Sequence, residues 1–235
     1  MGQEAAHAVA HQALLDRHLE RHGLAPAAFT AKVEDLFGRM LGDHRLAAPF
    51  DRYWLRARVA LIASIEVYTA ILGQWILDAD TLDAAGADPR LLSLLRWHGA
   101  EEVEHAHVAL ALWRHLYADP DNRSALARAL ARLELSAYHA LLVTPAFIGL
   151  ILAGSRHLMR HDAALPKGSG RGLAAFTRAA AHGHLPHLLR DVIAPGMELL
   201  APGFDPTRHV DRARARDWLA GAAAPPTDSP ALAHA

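Results

Sequence analysis

Residues 94–113, LLRWHGAEEVEHAHVALALW, place three carboxylates and three histidines between apolar runs. In a helix, successive side chains are about 100° apart, which sorts these polar groups into two sets. Glu104 and His107 fall away from the main arc and can point to water. The residues that share one narrow arc are His98, Glu101, Glu102 and His105. This stretch therefore predicts a helix with one concentrated stripe of carboxylates and imidazoles.

The rest of the chain also favours helix. Alanine and leucine are abundant, β-branched residues are sparse, and no long alternating strand pattern is present. Hydrophobic residues make up 52 % of the 235 residues, which is enough for a core. We therefore predict an all-α protein with one helical metal-binding domain over residues 1–218 and a disordered tail over residues 219–235. The predicted helices cover about 1–21, 26–41, 49–80, 88–117, 123–161 with a kink at Pro145, 173–184, 188–200 and 211–219.

Composition also bears on partners and compartment. Lys plus Arg number 24 against 25 for Asp plus Glu, so the charge balance gives no reason to expect nucleic acid as a partner. Cysteine is absent, which excludes disulfides and thiolate metal sites. The first residues, MGQEAAHAVAHQALL, lack the basic start and apolar run of a secretory signal, and we expect a cytoplasmic protein.

The spacing Glu102-x-x-His105 puts a carboxylate and an imidazole one turn apart on the same helix face. Four-helix proteins with two metal ions use this spacing. A solvated polar face explains a single such motif equally well, so further residues are needed to distinguish the two interpretations.

Two further observations favour the metal. Glu66 is the only charged residue in residues 59–72, and burying it there requires a cation, a strong donor or a proton; an arginine from a neighbouring helix is the alternative. Near the start, Glu4-x-x-His7 repeats the motif. Glu4, His7, Glu66, Glu102 and His105 thus make five of the six ligands expected for a two-metal helical bundle. Carboxylates mixed with imidazoles suit two divalent ions of iron or manganese, or zinc.

The roles of three neighbouring residues stay open. His98 either binds metal directly or donates to a ligating carboxylate, and we favour the second role. Glu101 is a candidate metal ligand, a catalytic acid or base, or a partner to an arginine. His11 follows His7 by one turn and has the same ambiguity as His98. We take His98 and Glu101 as the candidate catalytic residues.

Residues 135–152 are unusually apolar, but Tyr138, His139 and Pro145 interrupt any simple membrane span. A buried core helix or the face of a homodimer is the first interpretation. A membrane-surface role is the second.

Together, these motifs resemble a known bacterial family, the predicted metal-dependent hydrolases. The family's Trp-His-x-x-Glu-Glu-x-Glu-His core is similar to residues 97–105, its Gln-Glu-x-x-His segment to residues 3–7, and its Pro-Gly-Phe-x-Pro turn to residues 202–206. The resemblance implies a ferritin-like helical bundle, here with additional C-terminal helices, and a metal-dependent hydrolase activity.

The sequence departs from the family in two places. Members usually carry an earlier helix with a Phe-Pro-x-Gly-Glu pattern that supplies another lone carboxylate, and we find no such pattern before Gln3. Val67 stands where a histidine often follows the lone glutamate. The resemblance therefore leaves three alternatives for this ligand: an upstream segment supplies it, another subunit supplies it, or it is lost in a truncated protein.

Three functions fit this ligand set. The first is a hydrolase that uses a metal-activated water. The second is a di-iron oxygenase or oxidase, since an apolar bundle suits oxygen chemistry; in both, the substrate would be small and hydrophobic. The third is a non-catalytic metal-binding helical protein.

Overall fold

The computed structural model describes residues 12, 19, 23–24, 26–119, 121, 123–162, 165 and 168–221. Within these ranges the chain forms helices and no strand, which confirms the predicted all-α class. Three π-helical segments (Arg114–Ala118, His139–Val143, Leu188–Ile193) and two 3₁₀ turns (Glu198–Leu200, Pro206–His209) connect the α-helices. The α-helices are α1 (Ala27–Leu41), α2 (Phe50–Asp78), α3 (Asp80–Ala84), α4 (Pro89–His105), α5 (Val108–Trp113), α6 (Ala125–Tyr138), α7 (Thr144–His161), α8 (Ser169–Ala181), α9 (Ala194–Met197) and α10 (Arg212–Gly221).

Helix α2 lies at the centre of the described structure, because it contributes to every part of the core. Its sequence is apolar on most sides, as expected for a helix surrounded by others. One core cluster joins α2 to α5, α6 and residues 199–204, a second joins it to the π-helical segments, and a third joins its end to α4 and α10. The ferritin-like arrangement itself stays a prediction.

Helices α2 and α4 cross at two glycines. A Cβ atom on Gly73 would collide with the carbonyl oxygen of Gly99, and one on Gly99 would lie 2.6 Å from Ile76 Cγ2. The two backbones are therefore in direct contact, which only glycine allows. This close crossing fixes the antiparallel register of the two helices that carry the described candidate ligands.

Prolines explain where two of the π-helical segments lie. A proline in a helix lacks an N–H donor, and its ring collides with the carbonyl group four residues earlier. Segment His139–Val143 comes directly before the turn that holds Pro145, and segment Leu188–Ile193 comes directly before the turn that holds Pro195. The kink predicted at Pro145 thus takes the form of a wide helical turn just ahead of it.

Tyr68 of the second core cluster stacks against His139 and hydrogen bonds to Thr144. The two rings stack at 5.2 Å, and the Tyr68 hydroxyl lies 2.7 Å from Thr144 Oγ1. His139 is fully buried, and neither ring nitrogen has a hydrogen bond of good geometry within the described structure. Burial lowers the pKa of His139 to about 4, although the nearby Gly196 backbone opposes the shift in part. His139 is therefore a neutral core residue near neutral pH.

Two boundaries differ from the sequence prediction. The helix predicted over residues 88–117 breaks at residues 106–107, where a turn separates α4 from α5. Helix α8 begins at Ser169, four residues before the start of the helix predicted over residues 173–184. Glycines are usually poor helix formers, but Gly172 lies within this helix because it is needed for close packing. A Cβ atom on Gly172 would collide with Met159 Sδ.

Two helical stretches are long and apolar enough to cross a membrane by length and composition, Phe50–Asp78 and Ala125–His161. The apolar window is 56 % buried in the first and only 22 % buried in the second. A buried core helix over residues 135–152 is therefore wrong for most of that run. The dimer-face and membrane-surface interpretations stay predictions.

Helix α10 ends at Gly221, beyond the predicted domain boundary at residue 218. The remainder of the predicted tail lies outside the described residues, as does most of the first predicted helix.

Candidate metal centre

Three of the five predicted metal ligands, Glu66, Glu102 and His105, lie on α2 and α4. Helix α4 begins where the side chain of Asp88 accepts hydrogen bonds from the backbone of Arg90 at 2.8 Å and Leu91 at 3.3 Å. Pro89 then occupies the first helical position, where its missing N–H costs nothing. The Asp88 cap and Pro89 thus fix where α4, the helix that carries Glu102, begins.

Glu102 is a largely buried carboxylate held by neutral or titratable donors. Its Oε1 lies 3.0 Å from His98 Nε2, one turn earlier, and only 13 % of its side chain is exposed. Burial raises the pKa of Glu102, but hydrogen bonds from His98 and Thr69, together with the charges of His98 and His105, bring it below its usual value. Glu102 therefore stays charged at neutral pH. Among the described residues it has no arginine or lysine partner.

Thr69 links the two helices at this point. Its hydroxyl lies 3.3 Å from the Glu66 carbonyl oxygen and also hydrogen bonds to the Glu102 carboxylate. Together with the Gly73–Gly99 contact, this bond fixes which residues of α2 and α4 face each other. One turn further along, the same antiparallel register brings Glu66 opposite His105. The two predicted ligands of α4 and the predicted ligand of α2 thus share one helix interface.

The Glu66 carboxylate accepts a hydrogen bond from the backbone N–H of Ala109 at 3.0 Å. This donor exists because the chain breaks at residues 106–107 and restarts as α5, and the first N–H groups of a helix have no partner within it. Glu66 therefore meets the strong donor that its apolar surroundings require. The sequence analysis missed this donor because it treated residues 88–117 as one helix.

Glu104 and His107 are the two polar residues predicted to lie off the stripe. Glu104 lies 3.7 Å from Arg216 and is about one-third exposed, which agrees with its predicted position away from the stripe. His107 is different, because its Nδ1 is buried without a hydrogen bond within the described structure. His107 lies in the turn at residues 106–107 after α4 and is half-buried, and its predicted orientation toward water stays a prediction.

Glu101 is 9 % exposed and is one of the few buried acidic residues. Glu134, in contrast, pairs with Arg56 of α2 at 2.5 Å and therefore has a structural role.

Glu4, His7 and His11 lie outside the described residues. In the part of the chain that the structure describes, no group of three or more histidine and acidic side chains is placed to hold a metal ion. What the described residues do provide is a fitting donor set. Glu66 and Glu102 offer carboxylates, His105 offers an imidazole, and His98 supports a ligating carboxylate as metal sites require. These residues fit a hard or borderline divalent ion.

The comparisons agree with this chemistry. The chain matches the family model described as predicted metal-dependent hydrolase over residues 1–210. No curated protein and no solved structure matches it. The family's description implies a divalent metal ion. The chain belongs to the family of predicted metal-dependent hydrolases.

Proposed function

We propose that this protein is a hydrolase with two divalent metal ions, iron in the first instance, held by Glu4, His7, Glu66, Glu102 and His105. The observation that carries the proposal is the state of Glu102. It is buried and charged, and its described partners are His98 and Thr69 rather than an arginine or a lysine. Such a carboxylate is costly unless a cation completes its environment.

When bound, the ions would supply Lewis-acid activation of a scissile carbonyl and of water. The protein's own residues would do the rest. His98 donates to Glu102 and holds one carboxylate oxygen in place, and the Ala109 N–H does the same for Glu66. Neither carboxylate then needs to reorganise during the reaction, which is the main contribution a rigid site makes.

We assign proton transfer to Glu101, which is buried next to Glu102 in the sequence. A carboxylate in a water-poor site can take a proton from the attacking water as a base and then, as the acid, return it to the leaving group. The substrate would be small and hydrophobic, because the core residues between α2 and α4, Leu77, Ala100 and Val103, are apolar.

The test begins with metal content. We expect purified protein loaded with Fe²⁺, Mn²⁺ or Zn²⁺ to retain two ions per chain and to cleave a panel of esters. The variant Glu66→Ala should lose the metal while keeping its helical circular dichroism, and the control Glu104→Ala on α4 should keep both metal and turnover. Unchanged metal content in Glu66→Ala would refute the ligand assignment.

Activity separates the remaining functions. Ester turnover that disappears in Glu101→Gln, with metal retained, supports the hydrolase and the role of Glu101. Oxygen uptake without ester turnover would identify an oxidase instead. Retained metal with neither activity would identify a non-catalytic metal-binding protein.

A further inference from the structure

A second site lies away from the candidate metal ligands. A cavity of about 760 Å³ opens between the end of α5 with its π-helical extension, helix α6 and residues 199–205. This volume falls in the range of about 300–1,000 Å³ that small-molecule sites occupy. None of its lining residues is a proposed metal ligand.

One wall of the cavity is apolar and rigid. It consists of side chains that belong to the first core cluster and are 6 % exposed or less: Leu110, Trp113, Leu135, Leu199 and Phe204. Because these residues are packed into the core on their other sides, the wall is preformed. It presents a small, fixed apolar area to a ligand body.

The cavity lining also contains three arginines. Arg128 and Arg132 lie four residues apart on α6 and so share one helix face. Arg114 joins them from the π-helical segment after α5 and donates a hydrogen bond to the Phe204 carbonyl oxygen. Burial lowers the pKa of Arg114, the charge of Asp205 opposes this, and the charge of Arg132 lowers it further. The guanidinium groups of Arg114 and Arg132 are therefore close enough to repel each other.

Two acidic residues also line the cavity, but both are engaged locally. Asp205 accepts hydrogen bonds from the Thr207 N–H at 3.0 Å and from the Thr207 hydroxyl at 2.8 Å. Asp119 accepts from the Asp121 N–H at 2.8 Å and lies 3.7 Å from His115 Nδ1. The guanidinium groups of Arg128 and Arg132, for their part, form no ion pair or hydrogen bond with any described residue.

We propose that this cavity binds a small amphipathic anion, with its oxyanion head group on Arg128 and Arg132 and its apolar body against Trp113, Leu135 and Phe204. The planar guanidinium fork matches the geometry of carboxylate and phosphate oxygens. An anion there would also relieve the repulsion within the arginine group. The proposal does not depend on the metal centre.

Binding by the full chain tests the proposal, with the fluorescence of tryptophan, including Trp113, and calorimetry as readouts. The probes are decanoate, decyl phosphate, decanol and inorganic phosphate. We expect both amphipathic anions to bind at least about tenfold more tightly than decanol or inorganic phosphate, since charge-assisted hydrogen bonds and apolar contact act together only in the anions. Whichever anion binds more tightly identifies the head group.

The variant Arg128→Gln with Arg132→Gln should weaken binding of the preferred anion by about tenfold or more. The matched control, Arg156→Gln with Arg178→Gln, removes the same charge from exposed positions outside the cavity and should leave binding unchanged. Circular dichroism checks that both double variants fold. Equal binding of decanol and decanoate, equal loss in both double variants, or no binding of any probe would overturn the proposal.

Discussion

The interface that carries Glu66 and Glu102 and the cavity that carries Arg128 and Arg132 concentrate charge of opposite sign. At the interface, a carboxylate is buried and held by His98 and Thr69, with no arginine or lysine partner among the described residues. In the cavity, three arginines and two aspartates share a lining with apolar core residues. Elsewhere in the described structure, as in the pair Arg56–Glu134, opposite charges meet directly.

The difference between the two regions is one of burial and rigidity. A buried carboxylate held in place by hydrogen-bond donors suits a small cation that needs tight geometry, whereas partly exposed guanidinium groups suit a larger anion that enters from solvent. We therefore expect a cation at the interface and an anion in the cavity. Substitutions in the two regions should separate these expectations, and they are taken from the largest expected effect to the smallest.

The largest effect should come from Glu102→Gln, which removes the charge and keeps the shape. Losing a ligand should weaken metal affinity by more than the roughly 10- to 100-fold that loss of a supporting residue costs. Glu104→Gln, two positions further along α4, should change affinity less than about twofold, because its partner is Arg216 and surface pairs contribute little. Titration with Fe²⁺ or Mn²⁺ measures both. An equal loss of metal affinity in the two variants would show that the Glu102 face of α4 does not bind the metal in preference to the Glu104 face.

The next prediction concerns His139, a buried histidine that belongs to neither proposed binding site. The pKa of His139 is lowered to about 4 in the folded protein, whereas an unfolded histidine has the ordinary value of 6.5. The unfolded chain therefore binds an additional proton between these values, and the free energy of unfolding should fall by about 3 kcal/mol in total as pH drops from above 6.5 to below 4.

Urea denaturation between pH 3.5 and pH 7.5 measures this slope. His139→Leu should flatten it, and His184→Leu, at an exposed histidine outside the cavity, should not. A slope that is unchanged in His139→Leu would show that His139 is not neutral in the folded state. Metal affinity and anion binding near neutral pH should be the same in both variants.

The supporting role of His98 gives a smaller effect. His98→Ala removes the donor that holds Glu102 and should weaken metal affinity by about 10- to 100-fold. His98→Gln, which can still donate a hydrogen bond, should restore part of the loss. If alanine abolishes binding as completely as Glu102→Gln does, and glutamine restores nothing, His98 is itself a ligand.

The sequence could predict the helical class and the stripe on α4, because both depend on local composition and on the fixed rotation of a helix. It could also single out Glu66, since a lone charge in an apolar run needs compensation. It could not predict the turn at residues 106–107 or the Ala109 donor that this turn creates. Both depend on how α5 packs against α2, which is a tertiary effect.

The cavity was missed for a related reason. Arg114, Arg128 and Arg132 come from two separate helical segments, and the apolar wall includes Phe204 from a later turn. No spacing rule connects these positions in the sequence. The contact between Gly73 and Gly99 could not be predicted either. In a sequence, a glycine within a helix indicates only lower helix stability, and its role in packing depends on which backbone lies against it.

That glycine contact provides the smallest expected effect. Gly73→Ala forces α2 and α4 apart and should destabilise the protein by about 1–3 kcal/mol. Gly149→Ala, in α7 with no atom within 4 Å of the added carbon, should instead stabilise it by about 0.5–1 kcal/mol. Denaturation measures both. In addition, Gly73→Ala should weaken metal affinity and leave anion binding unchanged, because only the metal ligands depend on the α2–α4 register.

The most direct measurement is a crystal structure of the metal-loaded protein with anomalous scattering recorded at the metal edge. Our account predicts anomalous peaks between α2 and α4, within bonding distance of Glu66, Glu102 and His105. It would be contradicted by a structure in which the metal lies only at other histidines, such as the neighbouring rings of His157 and His161, and Glu66 and Glu102 bind none.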